Sequence, residues 1–133
     1  MTVATKFTEL VAWQRMNELS LEVYKATEAP PAGKDFKYRD QIRDASDSAQ
    51  RNVAEGFGRF NPGVFANFLD VSRASAEETR ALLLKGRNVG YFTPEDYAHL
   101  DRLARRGLQA VARFQRYLRS PQAKRNAARR YQR

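Results

Sequence analysis

Gln41-Ile42-Arg43-Asp44-Ala45-Ser46-Asp47-Ser48-Ala49-Gln50-Arg51-Asn52-Val53-Ala54-Glu55-Gly56-Phe57-Gly58-Arg59 is the stretch on which the fold turns. At about 100° per residue, Tyr38, Ile42, Ala45, Ala49, Asn52, Val53 and Gly56 fall within one arc of a helix. Such an arc is the buried face of an amphipathic helix. Ala45, Ala49 and Gly56 are small, so a neighbouring helix can approach closely. Asn52 shares the face, and a buried amide without partners costs roughly 1–3 kcal/mol. Asn52, Glu55 and Arg59, with Gly56, therefore read as a structural motif, a polar lock that fixes helix register. A ligand or catalytic site is the sharper alternative. Against it, the stretch does not supply a nucleophile and a base together.

Outward from this stretch, three more helices are legible. The first is expected from about Glu9 to Thr27. Its apolar positions Leu10, Trp13, Met16, Leu19, Leu21, Val23 and Tyr24 span an arc too wide for one partner helix. Such a helix is either central in its bundle or shared with another subunit. Trp13, Tyr24 and Phe68 read as core or interface anchors. Pro30 and Pro31 end the first helix, because proline cannot continue the hydrogen-bond ladder. The second helix is expected from about Asp35 to Glu55, with Gly56 and Gly58 suited to a left-handed C-terminal cap. Asn61-Pro62 starts the third, asparagine as cap and proline at the first helical position. Phe65, Phe68, Leu69, Ser72, Ala76, Thr79, Leu82, Leu83 and Gly86 share one face of it, and it stops near Gly90. Thr93-Pro94-Glu95-Asp96 opens the fourth in the same way. Its apolar stripe is Tyr97, Leu100, Leu103, Ala104, Leu108, Val111, Phe114 and Leu118, ending at Ser120-Pro121.

Four amphipathic helices with short links predict an all-α protein, an antiparallel up-down-up-down four-helix bundle over residues 1–119. Residues 120–133 have almost no apolar content and are expected to form a basic tail, disordered on its own.

Charge is unevenly placed. The net charge is +9 in 133 residues. Residues 1–100 hold 13 Lys/Arg and 14 Asp/Glu, a net of −1; residues 101–133 hold 11 Lys/Arg against Asp101 alone, a net of +10. On the fourth helix Arg102, Arg105, Arg106, Arg113 and Arg116 occupy the sector opposite the apolar stripe. Arg119, Lys124, Arg125, Arg129, Arg130 and Arg133 continue the charge beyond it. A basic face of this kind points to an anionic partner, nucleic acid being the commonest, with a solvated helix face as the alternative. Arg102, Arg105, Arg106, Arg113, Arg116, Arg119, Lys124, Arg125, Arg129 and Arg130 are the candidate nucleic-acid-binding residues. Tyr117 and Tyr131 are the aromatic residues nearest them, too few for a base-stacking code.

Other chemistry finds little support. There is no cysteine and one histidine, His99, expected at the surface of the fourth helix. A di-iron bundle needs paired Glu-x-x-His elements, hydrolytic triads need a histidine beside a nucleophile, and Gly56-Phe57-Gly58 lacks the lysine and hydroxyl of a phosphate loop. Glu77 and Glu78 are adjacent in sequence and so point to different helix faces. No catalytic residue, metal or cofactor is expected. Without a long apolar run or the pattern of a signal peptide, a cytoplasmic protein that does not enter membranes is the expectation.

The ordered set Phe7, Leu10, Trp13-Gln14, Leu19, Val23-Tyr24, Gln41-Ile42-Arg43, Ala45, Ser48, Asn52-Val53-Ala54-Glu55-Gly56, Arg59, Phe68-Leu69, Ser75 and Glu77-Glu78-Thr79 resembles the four-helix-bundle family of 23S rRNA intervening-sequence proteins. The resemblance runs from about Phe7 to Leu118. It implies a bundle that assembles into a ring-like homopentamer. It also implies kinship with the accessory variability protein of diversity-generating retroelements, and hence a reverse transcriptase or other nucleoprotein partner. The chain departs from the family pattern in places. Glu28-Ala29-Pro30-Pro31-Ala32-Gly33 replaces an aromatic-proline element. Ala49 stands where an apolar residue is usual after the second-helix serine. Asp44 stands where a basic residue is common, so the second helix does not offer a basic surface. The function expected is non-enzymatic nucleic-acid (RNA or DNA) binding through the phosphate backbone. The alternative is an oligomeric protein-interaction scaffold that makes no direct nucleic-acid contact.

Overall fold

The computed structural model describes residues 4–131, with side chains up to residue 127. Five α-helices make up the described chain: α1 Val11–Ala26, α2 Phe36–Phe57, α3 Pro62–Asn88, α4 Pro94–Leu118 and α5 Pro121–Tyr131. Single 3-10 turns at Phe7–Glu9 and Ala32–Lys34 precede α1 and α2. No strand occurs among the described residues, so the protein is all-α. None of its described helices is long and apolar enough to cross a membrane.

The helix starts follow from their caps. The Asp35 carboxylate accepts from Tyr38 N at 3.1 Å, Asn61 Oδ1 from Val64 N at 3.0 Å, and Thr93 Oγ1 from Asp96 N at 3.1 Å. Each satisfies a backbone donor that the first helical turn leaves without a partner.

α1 packs on α2 and α4, and α3 packs on α2 and α4, so each long helix has two long neighbours and the four form a helical bundle. Met16, Leu19, Val23, Ile42, Ala49, Val53, Leu69, Ala76, Leu83, Ala104 and Val111 are almost wholly withdrawn from water in its core. The small residues of α2 act as expected. A Cβ at Gly56 would come within 2.5 Å of the Phe65 ring and 2.9 Å of Phe68 Cβ, so α3 sits directly against the α2 backbone there.

Hydroxyls and amides join the helices where the core meets water. Trp13 Nε1 donates to Gln50 at 3.0 Å, and Ser20 and Tyr24 donate to the two Asp47 oxygens, all between α1 and α2. Between α2 and α3, Ser72 donates to the Ala49 carbonyl at 2.6 Å, and Tyr38 to the Leu82 carbonyl at 2.6 Å. Thr79 bonds back to the Ser75 carbonyl at 2.9 Å, the local route by which a helix buries a hydroxyl. Among the described residues, every buried side-chain nitrogen or oxygen has a partner.

Two expectations need revision. Residues 121–131 are helical rather than disordered, because Ser120 Oγ caps Ala123 N at 3.2 Å and Ala123 is buried against the bundle. Gly56 is no cap, since α2 runs through it to Phe57; Gly58 is the C-terminal cap, but with φ −72 it is right-handed rather than left-handed. The left-handed residue of this turn is Phe60 (φ 57). The bundle covers the wide apolar arc of α1 only in part. Met16, Leu19 and Val23 are buried, but Val11 and Leu21 are 57% and 56% exposed.

Candidate nucleic-acid interface

α4 is the most strongly two-faced helix of the chain. Leu100, Leu103, Ala104, Val111 and Leu118 are buried, and Tyr97, Leu108 and Phe114 are partly buried against the same core. Opposite them Arg102, Arg105, Arg106, Arg113 and Arg116 are all exposed, as is Arg119 at the C-terminal cap. The structure thus gathers the six α4 candidates on one outer surface. Lys124 and Arg125 of α5 are exposed as well. The side chains of Arg129 and Arg130 lie outside the described residues, as do the side chain of Tyr131 and all of Arg133.

The arginines differ in what holds them. Arg105 Nε pairs with Asp101 at 3.2 Å, and Arg119 with Asp70 at 3.3 Å. No carboxylate among the described residues pairs with Arg102, Arg106, Arg113 or Arg116. Four guanidinium groups are therefore exposed without an ion pair among the described residues.

Beneath this surface is a polar seam between α3 and α4. Asp101 is only 9% exposed; it accepts a hydrogen bond from Arg80 Nε at 2.8 Å and forms an ion pair with Arg105. Its hydrogen bond raises the Arg80 pKa above the ordinary guanidinium value, so Arg80 stays charged. Gln115, 2% exposed, is the second hub. Its Nε2 donates to the Ala66 carbonyl at 2.9 Å and to Asp70 at 2.5 Å, and its Oε1 accepts from Arg73 at 2.9 Å. Arg87 lies over the Tyr97 ring at 4.8 Å.

Sequence reasoning overlooked this seam. Arg73, Arg80 and Arg87 recur every seven residues, which puts them in a row along α3; that spacing was the available signal. Asp70 and Gln115 gave no comparable signal, since each takes its role from a partner far along the chain, as does Asp101 in its bond to Arg80.

α5 continues α4 after a short break. Its docking rests on buried Ala123 and on Asn126, which donates to the Tyr117 hydroxyl at 3.1 Å. Tyr117 is thereby engaged with the protein itself.

The motif of α2 lies elsewhere and divides in two. Asn52 Nδ2 donates to the Ser48 carbonyl at 2.8 Å and to Ser48 Oγ at 3.1 Å, and Ser48 Oγ bonds Ser75 Oγ of α3 at 2.7 Å. The Asn52 bonds thus stay within α2, and it is Ser48 that reaches α3. Glu55 and Arg59 do not join these bonds: both are exposed, and Arg59 lies over the Phe68 ring at 5.1 Å. Gly56 serves the close approach of Phe65. His99 is exposed on α4, and the described residues contain no group of three His, Cys, Asp or Glu placed to hold a metal.

No curated protein matches the chain closely enough to count as a relative. The family model described as 23S rRNA-intervening sequence protein matches residues 8–111, and the chain belongs to that family.

Proposed function

From membership of that family and the cationic surface of α4, we propose that this protein is a non-enzymatic nucleic-acid-binding accessory protein that grips the phosphate backbone of RNA or DNA. One observation carries the proposal: Arg102, Arg106, Arg113 and Arg116 are exposed on a single face with no carboxylate partner among the described residues. Phosphate contacts need accessible cations on a rigid support and little else. Arg119, Lys124 and Arg125 extend the surface, with Arg129 and Arg130 further along α5. The family's name is consistent with an RNA-related role.

The proposed architecture is an antiparallel four-helix bundle assembled as a ring-like homopentamer. Residue pairings that run in opposite senses support the antiparallel arrangement: Trp13 with Gln50 and Tyr24 with Asp47 between α1 and α2, Tyr38 with Leu82 and Ser48 with Ser75 between α2 and α3. The exposed Val11 and Leu21 of α1 support association. A native mass equal to that of one chain would reject the ring. A reverse transcriptase or other nucleoprotein is the partner proposed for the assembly.

The test of function is binding to RNA and DNA across a salt series, for the wild type and for R102Q/R106Q/R113Q/R116Q. Four lost phosphate contacts should flatten the log–log salt slope on duplex DNA by about 3.6, at roughly 0.9 per contact. Absent or salt-insensitive binding by the wild type would reject the proposal. A partner protein that stays bound after nuclease treatment would support the scaffold reading instead.

A further inference from the structure

The cations of α4 form two groups rather than an even row. Arg102 and Arg106 lie in one group and Arg113 and Arg116 in the other. Each group is flanked by an arginine held to a carboxylate, Arg105 by Asp101 and Arg119 by Asp70. At ~1.5 Å per residue, the centres of the unpaired pairs are about 16 Å apart along the helix. Between the groups, residues 107–112 carry no charge, and only Gln109 among them is fully exposed.

This pattern suits two separated phosphate rails better than one flexible strand. Proteins that hold single strands combine a basic groove with aromatic platforms on which bases stack. Here Phe114 packs into the core and the Tyr117 hydroxyl is occupied by Asn126. A separation of about 16 Å agrees with the phosphate-to-phosphate span of a groove ~12 Å wide once the phosphate radii are added, and exceeds that of one ~6 Å wide. The wide grooves are the major groove of B-form DNA and the minor groove of A-form RNA.

We infer that α4 lies across a wide groove of a double helix, one arginine group on each phosphate rail, so that the ligand is duplex rather than single-stranded nucleic acid. The inference rests on the backbone-binding function proposed above. Gln109 is the one exposed side chain over the groove, so the contact carries little sequence information.

The experiment compares a 20-base-pair DNA duplex, a 20-base-pair RNA duplex and 20-nucleotide single strands at equal salt. At least one duplex should bind tenfold or more tightly than any single strand, and which duplex does so identifies the form. R102Q/R106Q and R113Q/R116Q should each lower the salt slope on a DNA duplex by about 1.8, two contacts at roughly 0.9 each. R113K/R116K should restore duplex binding. Single strands bound as tightly as both duplexes, with the salt slope intact, would overturn the duplex assignment and leave backbone binding standing. No binding to any probe at low salt would overturn both.

Discussion

Gly56 and Gly107 are both buried glycines within helices, yet an added methyl group would meet different neighbours. At Gly56 it would strike the Phe65 ring and Phe68 Cβ; at Gly107 it would strike Met16 Sδ at 2.6 Å. Aromatic rings wedged between helices do not yield, whereas methionine is flexible and adapts. Gly56→Ala should therefore destabilise the protein by about 1–3 kcal/mol, the usual cost of overpacking. Gly107→Ala should be near neutral, since a helix-propensity gain of up to about 1 kcal/mol offsets the displacement of Met16. Urea unfolding of both variants would check the contrast. Asp35 gives a pH-dependent prediction. The Tyr91 hydroxyl donates to its carboxylate at 2.5 Å, and that bond, with a second from Tyr38 N, holds the Asp35 pKa below its ordinary value near 3.8. A carboxylate depressed by folding contributes stability above its unfolded pKa and loses it as pH falls through the folded one. The difference in melting temperature between wild type and Tyr91→Phe should thus be full at neutral pH and shrink only below about pH 3.8. A difference that persists unchanged at lower pH would assign it to packing of the ring.

α5 has the least support of the five helices, and that makes it the most informative to perturb. Eleven residues are too few for a stable isolated helix in water. Its order depends on the Ser120 cap and on Ala123 set against the bundle. Ala123→Glu should release α5 and remove the far-UV helical signal of its 11 residues while leaving the main unfolding transition in place. Loss of the whole transition would show that α5 belongs to the cooperative core. The same helix marks a limit of sequence reading. Asn61-Pro62 and Thr93-Pro94 announce α3 and α4 because capping is local chemistry, and the stripes of α2, α3 and α4 are visible because burial imposes a 3.6-residue period. Residues 121–131 have almost no apolar content, and Ala123 is the one buried side chain of α5 among the described residues, so their composition suggested disorder. Gly56 was legible as a special position and misread as a cap, since its reason is the Phe65 ring on another helix. The arginine face of α4 was legible from its period. The partner of Arg119 was not: the Asp70 that meets it lies 49 residues away in sequence, and only the packing of α3 on α4 brings the two together.

Taken as a whole, the molecule concentrates its net positive charge in the C-terminal part of the chain. Residues 1–100 sum to −1, and nearly all the net charge of +9 comes from α4, α5 and the residues after them. Such asymmetry turns an approaching polyanion toward the productive face, an effect on association rate more than on residence time. R102Q/R106Q/R113Q/R116Q removes four charges, taking +9 to +5. Stopped-flow measurements should show a slower association with a shallower dependence on ionic strength; an unchanged rate would place the encounter surface elsewhere. Guanidinium groups that lack a carboxylate neighbour are never bare in solution, and buffer ions accompany them. Sulfate and phosphate, small and multivalent, should dwell on this face longer than chloride does. The choice of buffer anion, at one fixed ionic strength, should therefore set how much of the protein is free to meet its partner.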